Sequence, residues 1–190
     1  MLLSQDEARL PLVPTLARTL GVKGHRPEVG TRDNKGLLYA FAVLNLTTAA
    51  LHATTLACPA GKKKAGQPSK NRRLQEAFAV HLRHVGRMYP KQRHKRVVLV
   101  IDNAPWHRGQ AVTMALADNP HLEFYRLPSY SPKLNPIERF WKVLRRRATH
   151  NRLFETLGEL KASVRNSLRY FQTVRSRVKQ LLNGRPKKAR

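Results

Sequence analysis

From Val97 to Ile101 five consecutive residues are valine, leucine or isoleucine, and Asp102 follows with no spacer. A short unbroken apolar run of this kind is the pattern of a strand buried on both faces of a sheet. Burying an unpaired carboxylate is costly, so Asp102 is expected where the strand leaves the sheet, at its C-terminal edge. In open α/β sheets ligands bind at that edge, which makes Asp102 a candidate site residue by position alone.

The rest of the chain supplies the parts of an α/β domain around that strand. Leu2 to Gln5 reads as a short strand ending at Asp6 and Glu7, and residues 10–31, rich in proline and glycine, as an irregular connection with one helical turn. Leu37 to Leu44 and Leu51 to Cys58 have strand composition and form a hairpin, giving three antiparallel strands at the start. Ser69 is placed to cap a helix in which Leu74, Phe78, Leu82 and Val85 recur at helical spacing up to about Met88. Beyond Asp102, Pro105 can open a helix with Ala111, Met114, Ala115 and Leu116 on its apolar side, and Leu122 to Leu127 is a further strand. A proline-rich turn then leads to Ile137, Phe140, Trp141 and Leu144, spaced i, i+3, i+4, i+7, which predicts an amphipathic helix packed on the sheet. Residues 151–183 carry a helical pattern in two parts, starting at Leu153. The expectation is one α/β domain over residues 1–183, with residues 184–190 a basic disordered tail.

Composition narrows the partner. Lys and Arg number 37 against 11 Asp and Glu, a formal charge of +26, which strains a compact chain by self-repulsion unless a polyanion is normally near. Nucleic acid is the first candidate and an anionic membrane surface the second. The excess is concentrated in residues 61–96 and 139–190, where Lys62, Lys63 and Lys64 form a basic loop and Arg145, Arg146 and Arg147 follow on the Ile137 helix. Phosphate contact by these six residues is weighed against ordinary solvation. The longest apolar runs are too short to span a bilayer, and the single Cys58 cannot form an internal disulfide, so a soluble cytoplasmic protein is expected.

With so few acids, their placement is informative. Strands ending at Asp6 and Asp102 and a helix starting near Glu138 bring three carboxylates to one sheet edge. Two unit charges about 4 Å apart repel by roughly 4 kcal/mol at an effective dielectric of 20, a conflict that a divalent cation removes. Oxygen-only ligation is Mg²⁺ or Mn²⁺ chemistry, and a pair of such ions about 3.5–4 Å apart can activate water or a 3′-hydroxyl and stabilise the leaving oxygen of a phosphodiester. Each acid has a structural alternative. Asp102 can cap the Pro105 helix, and Asn135-Pro136-Ile137-Glu138 fits a capping box with Asn135 at the N-cap. Strand alternation sends Asp6 and Glu7 to opposite faces, leaving one of them solvated. Asn103 either orients Asp102 or makes the turn, and His107 either contacts phosphate or the attacking water, or bonds a neighbouring backbone group. Trp106 and Trp141 can stack on bases, with core packing favoured for Trp141, and the Tyr130 and Ser131 hydroxyls lack an evident base.

The residues Val98 to His107, reading VLVIDNAPWH, followed by Leu127 to Trp141, reading LPSYSPKLNPIERFW, resemble the DDE-type transposases of bacterial insertion sequences, relatives of the mariner group; 35 residues separate Asp102 from Glu138. Asp6-Glu7 and Lys23-Gly24-His25-Arg26-Pro27 are similar to that family's opening segment, although Leu20 stands in the region where the family usually carries Trp. The resemblance implies a ribonuclease-H-like fold, a mixed five-stranded sheet flanked by helices. It also implies cleavage and transfer of DNA strands at transposon ends with two Mg²⁺ or Mn²⁺ ions, and Asp6, Asp102 and Glu138 as the metal-binding acids. The partners it implies are the transposon ends and target DNA, with a second copy of the chain on the DNA. Members generally carry a helix-turn-helix region that reads the element ends. Only five residues precede Asp6, and a fragment, a separate helix-turn-helix polypeptide or a decayed copy would each account for that. Two further readings are a catalytically inactive nucleic-acid-binding remnant and a general nuclease of the same fold.

Overall fold

In the computed structural model the sheet is built around β1 (Leu2–Pro11), which pairs on one side with β2 (Leu37–Asn45) and on the other with β4 (Val97–Ile101). The structure describes residues 1–25, 27–31, 35–59, 66–129 and 131–183; the Lys62–Lys64 run, Tyr130 and the basic tail lie outside the described residues. The five strands run in the order β3-β2-β1-β4-β5, with β3 at Leu51–Cys58 and β5 at Leu122–Arg126. β1, β2 and β3 are antiparallel neighbours, whereas β4 lies parallel to both β1 and β5, so the sheet is mixed as expected.

The two ladders of β1 differ in length. β1 pairs with β2 from Leu3↔Asn45 to Pro11↔Leu37, but with β4 only from Leu2↔Val98 to Ser4↔Val100. Past Ser4 the two parallel strands part, and Asp6 and Asp102 each lie two residues beyond the last pair. Strand alternation divides the core into two layers. Leu3, Phe41, Val43, Leu99 and Ile101 face α1 (Lys70–Met88) and α2 (Gln110–Ala117). Ala8, Leu10, Leu38, Ala40, Ala42 and Leu44 face α3 (Ile137–Ala148), α4 (Leu157–Thr173) and α5 (Arg175–Asn183).

Several expectations are corrected. β1 does not end at Asp6 and Glu7 but continues to Pro11, because its antiparallel ladder with β2 persists after β4 departs. Residues 10–31 contain no helical turn among the described residues. Pro105 opens only a 3₁₀ turn, Pro105–His107; α2 starts after Gly109, whose φ of 103° breaks the helical path. Met114 is consequently 54% exposed and Val112, not counted on the apolar side, is buried. The 151–183 pattern begins as helix only at Leu157: Thr156 accepts from the Glu159 amide and Glu159 accepts from the Glu155 amide, which fixes the start and leaves Leu153 outside. Ser69 caps α1 as expected, accepting from the Arg72 amide.

Candidate active site

The site forms where β1 and β4 diverge and the first turn of α3 crosses above them. Ser4, Asp6, Ala8 and Leu10 share the α3 face of β1, so the same alternation that buries Leu10 aims the Asp6 side chain at α3. Trp141, fully buried, donates its indole N–H to Asp6 Oδ2 at 3.0 Å. Trp141 is therefore a core residue, as its place on the apolar stripe requires, and its single polar atom fixes the carboxylate.

The start of α3 is not the capping box its sequence suggests. Pro136 occupies the N-cap with no side-chain cap bond. Asn135 instead reaches across to β1: its amide nitrogen donates to the Gln5 carbonyl at 3.0 Å and its oxygen accepts from the Ser4 hydroxyl. Ser4 Oγ in turn accepts from the Ile137 amide at 3.2 Å, so a residue 133 positions away caps the helix. Glu138 is thereby free of any capping role, and its carboxylate makes no hydrogen bond or ion pair among the described residues.

Asp102 lies just beyond β4. Its Oδ1 accepts from the Ala104 amide at 2.9 Å and forms an ion pair with His107 Nδ1 at 3.1 Å, while His107 Nδ1 donates its hydrogen bond to the Asp102 backbone carbonyl at 3.2 Å, the neighbouring backbone group the sequence offered as one alternative. Neither bond caps an α-helix, so the capping reading reduces to a local turn. Asn103 does not touch the Asp102 side chain; its amide donates to the Leu127 carbonyl at 2.7 Å and ties the exits of β4 and β5 together. His107 is buried at 1% exposure, and its other nitrogen, Nε2, donates to Glu7 Oε1 at 2.9 Å. Glu7 also accepts from the Gln5 amide at 2.8 Å, and Arg126 donates to the His107 carbonyl.

Glu7, expected to be solvated, is thus an internal partner. The signal was available in the alternation of β1, which places Glu7 beneath α1 on the face of Leu3. Its ligand atoms, with those of Asp102 and His107, lie within 4.8 Å of one another. This group is nonetheless poorly suited to a metal, because both imidazole nitrogens are engaged with carboxylates and none has a lone pair to offer.

Asp6, Asp102 and Glu138, drawn from β1, the end of β4 and α3, line one cavity of about 390 Å³ together with Asn103, Ser131 and Asn135. Electrostatics separates the acids. Burial pushes the Asp6 carboxyl up to about 8, reinforced by the charges of Glu7, Glu138 and Asp102. The His107 imidazole, with the Ala104 amide, holds Asp102 below its ordinary range against its partial burial. Burial alone would pull His107 down, but its bonds to Asp102 and Glu7 prevail and raise it to about 10. The acids that line the cavity thus offer only oxygen as ligand atoms, with one carboxylate that resists ionising, the donor set and the electrostatic deficit that a hard divalent cation would satisfy.

The predicted basic residues are distributed unevenly. Arg145, Arg146 and Arg147 lie in the last turn of α3, about 10–13 Å along the axis from Glu138. Arg147 places its guanidinium 3.9 Å from the centroid of the Tyr170 ring. Sequence reasoning passed over Lys133, Arg139 and Lys142, which line a second cleft of about 600 Å³ sharing Pro132, Asn135 and Glu138 with the acidic cavity. Arg139 is held by the Leu181 and Leu182 carbonyls. Trp106 is half-buried, packed against the α1 layer and edge-on to His107.

Comparison with known proteins places this arrangement. An uncharacterized protein, y4pE/y4sA of Sinorhizobium fredii, is 34% identical over 85 residues, covering 45% of this chain and 58% of its own length. The insertion element IS630 uncharacterized 39 kDa protein of Shigella sonnei is 25% identical over 164 residues, covering 85% of this chain and 43% of its own length. The chain thus spans less than two thirds of either relative. Among solved structures, the Mos1 mariner paired end complex with Mn superposes with a TM-score of 0.61 at 18% identity, covering 96% of this chain and 53% of that one. The catalytic domain of Mos1 mariner transposase gives 0.55 at 17% identity, covering 96% and 80%. The expected ribonuclease-H-like fold, a mixed five-stranded sheet flanked by helices, is borne out by these superpositions. A family model described as DDE superfamily endonuclease matches residues 1–161, and the chain belongs to that family.

Proposed function

We propose that this chain is the catalytic domain of a DDE transposase, cleaving DNA at the ends of a mobile element and joining the freed 3′-hydroxyl to target DNA. The observation that supports it most is the convergence of Asp6, Asp102 and Glu138 on one cavity at the C-terminal edge of the parallel strands. In this reading the three carboxylates hold two Mg²⁺ or Mn²⁺ ions, which supply charge neutralisation and activation of the attacking oxygen at a phosphodiester. Trp141 orients Asp6, Asn135 and Ser4 set the angle at which α3 presents Glu138, and His107 with Glu7 fixes Asp102 from beneath. Lys133 and Lys142, beside Glu138, are suited to the flanking phosphates and Arg145 to Arg147 to more distant ones, and Lys62, Lys63 and Lys64 are proposed as phosphate contacts on their charge alone.

The proposed partners are the element ends and target DNA, a second copy of the chain on the DNA, and a separate helix-turn-helix polypeptide that reads the ends. The Mos1 transposase, a structural neighbour, was solved as a paired-end complex with a left transposon end. No helix among the described residues is long and apolar enough to cross a membrane, and we place the reaction in the bacterial cytoplasm, at the nucleoid.

The test is nicking of duplex DNA carrying the element ends, with and without Mg²⁺. The expected result is metal-dependent cutting that disappears in Asp102→Ala while DNA binding is retained. Binding without cutting under any metal, even with a helix-turn-helix partner added, would favour the inactive remnant. Preference for hybrid or branched substrates over element ends would favour a general nuclease.

A further inference from the structure

The sheet has two edge strands, β5 and β3, and β3 pairs only with β2, with no strand on its outer side among the described residues. Beside that edge α4 lays out Lys161, Arg165 and Arg169 at i, i+4 and i+8, one row rising about 6 Å per step. With Thr54, Thr55 and Gln172 they line a groove of about 400 Å³. Two strands, β2 and β3, separate it from β1 and the acidic cavity, about 10 Å of sheet.

Nothing nearby neutralises this row. Arg72, Arg83 and Arg96 are paired with Glu76, Asp118 and Glu123, but Lys161, Arg165 and Arg169 form no ion pair among the described residues. The cause lies in the sequence: no acidic residue occurs between Asp33 and Glu76, the stretch containing β2 and β3, and none after Glu159, the stretch containing the rest of α4. The fold therefore brings two acid-free segments together as the walls of one groove. The Thr55 hydroxyl and the Gln172 amide on its lining add neutral donors suited to phosphate oxygens, whereas the Thr54 hydroxyl is engaged with His81.

We propose that the groove between the edge of β3 and α4 binds the phosphate backbone of a DNA segment outside the acidic cavity. The inference rests on the reading that DNA is the substrate. The apolar part of the lining is limited to Ala53 and the buried Leu168, and a linear row of cations at regular spacing fits a repeating anion better than an acidic peptide.

The experiment measures binding of a fluorescent duplex of random sequence, without element ends, by anisotropy in EDTA across a salt series. Each phosphate neutralised contributes about −0.9 to the slope of log K against log salt, so Lys161→Ala/Arg165→Ala/Arg169→Ala is expected to flatten the slope by about 2.7. A control with the same charge loss on the α1–β4 link, Lys91→Ala/Arg93→Ala/Lys95→Ala, is expected to leave the slope in place. Circular dichroism on both variants verifies folding, and each single substitution at Arg165 or Arg169 is expected to flatten the slope by about 0.9. An unchanged slope in the groove variant, or equal flattening in the control, overturns the groove as a site. So does loss of poly-glutamate binding with the DNA slope preserved, which assigns the groove to a protein partner. Wild-type chain that binds no duplex at all refutes the DNA reading itself, whereas wild-type binding with an unaltered groove variant refutes only this inference.

Discussion

Replacing Asp6 by Asn should stabilise the metal-free protein, and by an amount that grows with pH. The folded chain holds the Asp6 proton up to about pH 8, whereas the ordinary value is 3.8. Between these values the folded state carries a proton that the unfolded state has released. Raising the pH therefore favours unfolding, by about 1.4 kcal/mol per pH unit for this one group. Asn keeps the shape of the side chain and can still accept from the Trp141 indole, but it stays neutral at every pH. The stability difference between Asp6→Asn and wild type is expected to widen by about 2.7 kcal/mol from pH 5 to pH 7. Urea unfolding in EDTA at pH 5, 6 and 7 reads it directly, and titrations elsewhere cancel in the difference. Saturating Mg²⁺ is expected to flatten the pH dependence of the wild type and leave the variant unaffected, because a bound cation supports the charged carboxylate. A difference that stays constant across this range would show that Asp6 ionises normally, and the electrostatic case for a cation in the cavity would fail.

Three other perturbations test separate parts of the structure. His107→Phe leaves the Glu7 carboxylate buried with only Gln5 beside it and should cost about 3–5 kcal/mol at pH 7, much of it recovered in Glu7→Gln/His107→Phe; strictly additive effects in urea unfolding would mean the two residues do not interact. Asn135→Ala removes the partner of the Ser4 hydroxyl and the Gln5 carbonyl, with an expected loss of about 1–3 kcal/mol, and nicking should slow while DNA binding holds, since α3 loses the tie that aims Glu138. His81 is wholly buried and burial pulls it down to about 3 from 6.5, so the unfolded chain takes up its proton first and stability should fall by about 2 kcal/mol between pH 6.5 and pH 5; His81→Leu should lack that component of the acid slope.

What could be read from the sequence, and what could not, divides along the range of the interactions concerned. The Val97–Ile101 strand and the Ser69 cap of α1 depend on neighbours within a few residues, and periodicity captures them. So does the burial of Trp141, which its place on the apolar stripe of α3 dictates. The length of β1 does not: Asp6 and Glu7 look like strand terminators, yet the ladder with β2 carries the strand on to Pro11 because the partner's apolar register continues to Leu37. The N-terminus of α3 failed for the same reason. Asn135 and Glu138 satisfy the local capping pattern, but Ser4 supplies the cap from across the fold and Asn135 turns to bond β1 instead. For Glu7, alternation gave the α1 face correctly, but the partner that makes it an internal residue, His107, comes from 100 positions along the chain.

The two faces of β1 explain how one site holds four acids without collapsing into a neutral cluster. Glu7, on the α1 side, meets His107 away from the cavity, and the same imidazole takes Asp102 Oδ1 on its other nitrogen. One buried cation thus compensates two carboxylates, and because Ala104 binds the same Oδ1, the second oxygen of Asp102 is left without a hydrogen bond among the described residues. On the α3 side, Trp141 is a neutral donor that fixes Asp6 without compensating its charge, and Glu138 has no partner at all among the described residues. The two uncompensated acids, Asp6 and Glu138, are therefore gathered on the cavity side with Asp102, whose charge His107 supports from below, and Glu7 is hidden beneath. Exchanging these roles by a one-residue slip of β1 would aim Glu7 at the cavity and deprive His107 of its second carboxylate. The β1–β2 ladder extending beyond Asp6 to Pro11, longer than the site itself requires, is what holds that register.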